Sequence, residues 1–265
     1  MADEVVHLKD AWLQRGGRTI WKDLDLTVKP GEFIAVLGPN GSGKTSLLKV
    51  LLGLLPLDRG SVLIDGQPVR KGNKRVGYIP QHKNFDPYLP VRGRDLVQLG
   101  VNGHRYGIAG NRKAVSAEID KALRDVGADR YASMPIGLLS GGEQQRLRIA
   151  QALVGQPSLL LCDEPLLSLD LASQRTITEL INDYRMRQDA AVIFVTHEIN
   201  PILPWVDRVL YMANGRWVAD KPDKVLRSKT LSKLYDTPIE VIRLKNRILV
   251  TGAEDATAAH HEEHL

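Results

Sequence analysis

The sequence predicts an α/β fold built round a parallel sheet, and three observations carry that prediction. The runs "EFIAVLG" at 32–38, "SLLLCDE" at 158–164 and "AAVIFVTH" at 190–197 are nearly continuous in apolar residues, as expected of strands buried on both faces. Helical patterning separates them, so strand and helix alternate. A glycine-rich turn, "GPNGSGKT" at 38–45, then joins the first of these strands directly to a helix.

The elements follow in order. Ahead of the core, short apolar stretches (Val5, Val6 and Leu8; Leu24, Leu26 and Val28) alternate with the turn-like "RGGR" and "KPGE", which predicts antiparallel strands with Pro30-Gly31 as a turn. From Lys44 to Leu52 the leucines at 47, 48, 51 and 52 share one helical face, and Gly53 is a natural stop. The next stretch changes character, with "DPYLPVRGRDLVQLG", a loop-rich "VNGHRYGIAGN" and an amphipathic "AVSAEIDKALRDVGADRYA". The expected organisation is a discontinuous core at 1–83 and 140–221, a helical subdomain inserted at 84–139, and a small C-terminal extension at 222–250 with a helix "LSKLY" and strands "IEVIRL" and "RILVT". The tail at 251–265 is rich in Ala, Glu and His and is expected to be disordered; its "HHEEH" could suit zinc or manganese, but composition favours plain disorder.

Composition narrows the classes. At 265 residues and 43% hydrophobic content the chain can bury a real core. Its 36 Lys and Arg exceed its 31 Asp and Glu by five, spread along the chain, which hints at phosphate ligands or an acidic surface. Cys162, the single cysteine, lies inside an apolar run; no internal disulfide can form, and an intracellular compartment is the simplest inference. The opening "MADEVVHLKD" has no signal-peptide pattern, and no apolar run reaches the roughly 18 residues of a membrane span, so the chain is not expected to cross a membrane itself. No repeat of solenoid or propeller period is present.

"GPNGSGKT" fits the P-loop pattern, with Gly38, Gly43, Lys44 and Thr45 at the fixed positions. Its glycines let backbone N–H groups wrap phosphates, Lys44 adds a positive charge, and the Thr45 hydroxyl can ligate magnesium. A chance match in this length is on the order of 1%. "LLLCDEP" at 159–165 puts Asp163 and Glu164 at the carboxyl end of a buried strand, where ligands of open α/β sheets collect. Asp163 is expected to hold magnesium through water, and Glu164 to polarise an attacking water. His197 ends "VIFVTH" and reaches the same edge, while Gln81 ends "VGYIPQ" where the helical insertion begins. The bland readings are a structural histidine and a surface glutamine.

"LSGGEQQR" at 139–146 opens a helix. Ser140 and Glu143 form an S-x-x-E capping box, a sufficient local explanation. Gly141 and Gly142 also bare the first N–H groups at the positive end of the helix dipole, which makes an anion site. One chain then holds two phosphate cradles but a single magnesium and water constellation, so the second cradle is expected to serve a nucleotide bound by a second copy.

Together these residues resemble the ATP-binding subunit of an ABC transporter, from about residue 5 to residue 250. "GPNGSGKT" is similar to the family's Walker A motif, Gln81 to its Q-loop, "LSGGEQQR" to its signature, "LLLCDEP" to Walker B, "SLD" at 168–170 to its D-loop and His197 to its switch histidine. The resemblance implies a P-loop NTPase core and ATP contacts along Gly38, Pro39, Asn40, Gly41, Ser42, Gly43, Lys44, Thr45 and Ser46. It implies Mg2+ held by Thr45, Gln81 and Asp163, and catalysis by Glu164 with His197 and Gln81. It further implies a head-to-tail homodimer in which Ser140, Gly141, Gly142 and Glu143 face the partner's ATP, with Ser168 and Asp170 at the subunit contact. Integral membrane permease subunits and, through them, an extracytoplasmic substrate-binding protein complete the implied partners, with this chain peripheral on the cytoplasmic face of the cell membrane.

Within the family, "VTHEINPILPWVDRVLYMANGR" and "LSKLYDTPIEVIR" resemble the subfamily that powers uptake of zinc, manganese or related divalent metals, and "YLPVRGRDLVQLG" is similar to the segment that metal and iron-chelate importers place against their membrane subunit. Two positions depart from the pattern. Where the family has an aromatic residue to stack on adenine, this chain has Arg15, with Trp12 nearby; either could meet the base. In "EPLLSLD", Leu166 and Leu167 replace threonine and serine, while Glu164 and Asp170 are kept. The alternatives are an iron-chelate importer, or a soluble ABC-type ATPase acting on nucleic acid or ribosomes. The latter usually joins two ATPase units or inserts a long coiled coil, and this chain has one unit, no sustained heptads and no basic stripe, so no nucleic-acid partner is expected. A P-loop small-molecule kinase leaves the SGG helix unexplained.

Overall fold

A computed structural model describes residues 4–81, 85–102, 112–245 and 247–252. In chain order the elements are β1 (Val6–Arg15), β2 (Arg18–Val28), β3 (Phe33–Leu37), α1 (Lys44–Leu51), β4 (Arg59–Ile64), β5 (Gln67–Pro68), β6 (Val76–Ile79), α2 (Gly93–Asn102), α3 (Arg112–Asp125), α4 (Gly141–Leu153), β7 (Leu159–Asp163), α5 (Leu171–Gln188), β8 (Ala191–Val195), β9 (Arg208–Ala213), β10 (Arg216–Asp220), α6 (Pro222–Val225), α7 (Ser228–Tyr235), β11 (Ile239–Leu244) and β12 (Arg247–Gly252). Most of the expected "VNGHRYGIAGN" loop and of the His/Glu tail lies outside the described residues. Among the described residues no helix is long and apolar enough to cross a membrane.

The chain divides into two compact units. The first comprises the described parts of 1–28, 33–69 and 195–265. Its antiparallel sheet runs β2–β1–β4–β5, with Val6 opposite Val28 and Arg15 opposite Arg18 across a Gly16–Gly17 turn. Alternate residues of these strands (Leu8, Leu13, Leu24, Leu26) are fully buried beside Trp21, the period-2 pattern of a sheet with one wet face. Beside it, β10–β9–β3 forms a second set: β9 pairs parallel with β3, Ile34 opposite Arg208, and antiparallel with β10. Every residue of β3 is buried, which is why its sequence is continuously apolar and does not alternate. Helix α1 buries Leu47, Leu48 and Leu51 and stops where Gly53, at φ 66°, turns the chain so that Leu54 N–H can reach the Lys49 carbonyl at 2.8 Å. At the C-terminus β11 and β12 form an antiparallel hairpin, and α6 precedes the expected helix α7.

The second unit comprises 29–32 and the described parts of 70–194. Its strands run β8–β7–β6, with β6 parallel to β7, Val76 opposite Leu159 and Ile79 opposite Cys162. All five residues of β7 are buried, and burial raises the Cys162 thiol pKa so far that it is an inert core thiol. Helices α2 and α3 pack on α4; α3 turns Ile119, Ala122 and Leu123 inward, as its amphipathic sequence predicts. The α/β class, the parallel pairs and the N-terminal antiparallel strands are those expected from the sequence.

Candidate functional site

In the first unit the loop from Gly38 to Gly43 links β3 to α1. Gly38 has φ 140° and is buried; a Cβ there would lie 2.0 Å from the Met212 carbonyl, so only glycine lets the loop leave the sheet at this angle. Gly43, at φ 98°, sits against Ile20 and Trp21 and leads into the first helical turn. Lys44 is only 5% exposed, and its ammonium donates to the carbonyls of Gly38 at 2.7 Å and Pro39 at 3.0 Å. The Ser42 hydroxyl is buried with no hydrogen-bond partner among the described residues. A buried hydroxyl and ammonium beside a helix N-terminus form a donor-rich cradle, complementary to a phosphate. Thr45 is exposed at this edge.

His197 belongs to the same unit. Thr196 N–H donates to the Val36 carbonyl at 3.2 Å, which fixes the start of this turn against β3. The Thr196 hydroxyl then accepts from Glu198 N–H at 3.1 Å and donates to the Glu198 carbonyl at 2.9 Å, closing a turn with exposed His197 at its tip. His197, Gly38 and Pro39 line one cavity of about 480 Å³, together with Asn200, Tyr211 and Ile248. Arg15, at the hairpin tip, is turned onto the Gln14 carbonyl, the Pro56 carbonyl at 3.2 Å and the Asp58 carboxylate at 3.4 Å. The Trp12 ring is half-buried and carries the Arg59 guanidinium 5.0 Å from its centre.

In the second unit, Asp163 ends β7 and is 6% exposed; Glu164 follows at φ 48°, a left-handed conformation that is strained for a glutamate. The Gln81 amide donates to the Glu164 carboxylate at 3.3 Å, so two residues 83 apart in sequence meet. Tyr78, on β6, is not singled out by the sequence. Its hydroxyl donates to Asp163 at 3.4 Å, and burial first, then the Asp163 charge and this hydrogen bond, push its pKa up to about 12. It therefore stays a neutral donor to the carboxylate at any physiological pH.

The capping box of α4 is formed in full. Ser140 accepts from Glu143 N–H at 3.4 Å and donates to the Glu143 carboxylate at 2.8 Å, while Ser140 N–H donates to the same carboxylate at 2.9 Å. Ser140 itself is exposed. Asp170 caps α5, accepting from Ser173 N–H at 2.9 Å and from the Ser173 hydroxyl at 2.6 Å; these bonds hold its carboxyl below the usual range. A Cβ on Gly142 would lie 3.1 Å from that Ser173 hydroxyl, so the glycine pair of α4 abuts the cap of α5. Ser168, at φ 63°, and exposed Leu167 lead into it, while Leu166 is buried. Ser173 is a second residue the sequence alone does not reveal.

Residues 21–167 match the family model described as ABC transporter. The zinc import ATP-binding protein ZnuC of Pseudomonas syringae pv. syringae (strain B728a) is 33% identical over 235 residues, 89% of this chain and 83% of that protein. Its counterpart in Halorhodospira halophila (strain DSM 244 / SL1) is 33% identical over 234 residues, 88% of this chain and 84% of its own. Among solved structures, cbiO1 from Clostridium perfringens, part of the ABC transporter complex cbiONQ, is similar with a TM-score of 0.73 at 25% identity, covering 88% of this chain and 94% of that one. The ATP-binding cassette MJ0796, solved as a dimer in a post-hydrolysis state with ADP and Pi, is similar with a TM-score of 0.68 at 28% identity, covering 82% and 98%. These similarities, with the donor-rich loop at Gly38–Lys44 and the carboxylates at the end of β7, establish that the chain belongs to the ABC transporter family, as one of its ATP-binding, ATP-hydrolysing chains.

Proposed function

We propose that this chain is the ATPase subunit of an import system for a divalent metal ion, zinc first. The observation that carries the reading is the 33% identity, over 89% of the chain, to proteins named for zinc import. In this reading Lys44, Ser42 and the loop N–H groups hold the ATP phosphates, and Arg15 or Trp12 meets the base. Arg15 can reach it only by leaving Asp58 and Pro56, whereas Trp12 would have to exchange Arg59 for adenine. Thr45, Gln81 and Asp163 offer hydroxyl, amide and carboxylate oxygens, a hard donor set that fits Mg2+ and not a soft metal. Bound Mg2+ would neutralise charge on the transferring phosphate.

Glu164 then acts as the base that orients and polarises the attacking water, and its hydrogen bond to Gln81 supports coupling between the two, since Gln81 would release the carboxylate when it turns to the metal. His197 would face the γ-phosphate from the rim beside Gly38 and Pro39. Ser140, Gly141, Gly142 and Glu143 would complete the site of a second copy, with Ser168 and Asp170 at the subunit contact. The closed homodimer would sit on membrane permease subunits at the cytoplasmic face, fed by an extracytoplasmic substrate-binding protein. In this reading the metal is the cargo of those partners; among the described residues no group of three or more His, Cys, Asp or Glu could hold one. Uptake of zinc and of manganese in a strain lacking this chain tests the reading. Loss of zinc uptake, restored by the wild-type chain but not by Glu164→Gln, is expected; unchanged uptake of both metals would overturn the metal assignment.

A further inference from the structure

Gln144 and Arg148 lie on α4, one turn apart, and are 3% and 6% exposed, unusual burial for an amide and a guanidinium. Both engage Phe85, four residues beyond Gln81. The Gln144 carbonyl oxygen accepts from Phe85 N–H at 3.2 Å, and its amide nitrogen donates to the Leu139 carbonyl at 3.0 Å. Leu139 immediately precedes the N-cap Ser140. One side chain thus ties the backbone at Phe85 to the backbone before Ser140. The Arg148 guanidinium stacks over the Phe85 ring, 4.3 Å from its centre, and burial lowers its pKa. Further along, Ile136 N–H donates to the Val91 carbonyl at 2.9 Å, Gly93 N–H to Met134 at 3.1 Å and Arg94 N–H to Ala132 at 2.7 Å. Gly137 lies so close to Asp86 that a Cβ would come within 2.3 Å of its carbonyl oxygen.

The segment from Phe85 to Arg94 is therefore pinned at several points along the stretch from Ala132 to Arg148. Desolvating a cation on a helix where an aliphatic residue would pack is costly unless the charge is compensated, and the face of the Phe85 ring contributes to that compensation. Such a clamp makes the backbone before Ser140 follow any displacement of Phe85.

We propose that Phe85, Gln144 and Arg148 are positioning residues that hold the signature serine, Ser140, in the orientation set by the segment from Phe85 to Arg94, so that a subunit presents its Ser140 correctly to a second copy. This rests on the reading that Ser140 faces the partner's ATP. The clamp touches neither nucleotide nor metal and acts through the backbone of Leu139. Its loss should weaken ATP-driven pairing of subunits while leaving ATP binding to one subunit intact.

The test uses the full chain carrying Glu164→Gln as parent. The ATP concentration at half-dimerisation is read by sedimentation, and the affinity of the monomer for a fluorescent ATP analogue is read separately. Arg148→Met should raise the dimerisation midpoint about threefold or more with monomer affinity changed less than about twofold. Phe85→Leu should do the same, the pair together should add little further, and Arg148→Lys should restore most of the loss. If Arg148→Met fails to fold, Phe85→Leu carries the test alone. A parent that dimerises while both single variants keep its midpoint would overturn the clamp. A parent that never dimerises with ATP would overturn the reading beneath it, and the clamp with it.

Discussion

Replacing Ser140 by alanine separates the two roles that one hydroxyl can have. As a cap, Ser140 accepts a long bond of 3.4 Å from Glu143 N–H, so the loss belongs at the low end of N-cap substitutions, about 0.5–1 kcal/mol. In a chain of this size that lowers the melting temperature by about 1–4 °C. As a donor to a phosphate on a second copy, it would contribute a charge-assisted hydrogen bond of about 1.5–3 kcal/mol, so ATP turnover should fall about 10- to 100-fold. Ser140→Asp sharpens the contrast: its carboxylate can still accept from Glu143 N–H, but it loses the donation to the Glu143 carboxylate and meets that charge, so the melting temperature should recover only in part, while its charge would face the phosphate and turnover should fall further. Steady-state phosphate release and thermal denaturation on the same samples read both quantities. Wild-type turnover in Ser140→Ala, with only the expected loss of stability, would leave the serine as a cap and nothing more.

Two further substitutions follow from local geometry. Gly38→Ala forces a Cβ to within 2.0 Å of the Met212 carbonyl and should lower the melting temperature by several degrees and abolish ATP binding, whereas Gly41→Ala, at φ 77° with no atom within 4 Å of its Cβ, should cost only about 1–2 kcal/mol and bind ATP; calorimetry and nucleotide titration compare them. The Asp170 carboxyl is held below its ordinary value by Ser173, so its stabilisation is present above about pH 4 and is lost as pH falls through the lower, folded pKa. Melting curves between about pH 6 and pH 3 should therefore show a smaller acid-induced drop in Asp170→Asn than in the wild type.

Features written in contiguous residues are legible in the sequence. The buried strands β3, β7 and β8 announce themselves as unbroken apolar runs because both faces are covered, and the α4 cap is spelled out in four residues. Strands β9 and β10 are not among the elements expected from the sequence, although the Asn214–Gly215 turn between them, at φ 51° and 73°, is a strong hairpin signal in "YMANGRWV". The same holds for β4 and β5 round Asp65–Gly66. Tyr78 with Asp163, Gln81 with Glu164 and Phe85 with Gln144 are 85, 83 and 59 residues apart, so no local pattern could reveal them. Nor does a motif say which of Trp12 and Arg15 reaches adenine, because each already has partners in the fold.

The central claim is that a single chain is catalytically incomplete, its P-loop and its signature belonging to different sites. Lys44→Ala, defective only in the P-loop, and Ser140→Arg, defective only in the signature, should each be inactive alone. Mixed in equal amounts, half the dimers should be hybrids, each with one site that joins an intact Lys44 to an intact Ser140, so ATP turnover should return to about a quarter of the wild-type rate. A mixture as inactive as its components would mean that P-loop and signature serve the same chain, and would contradict the account.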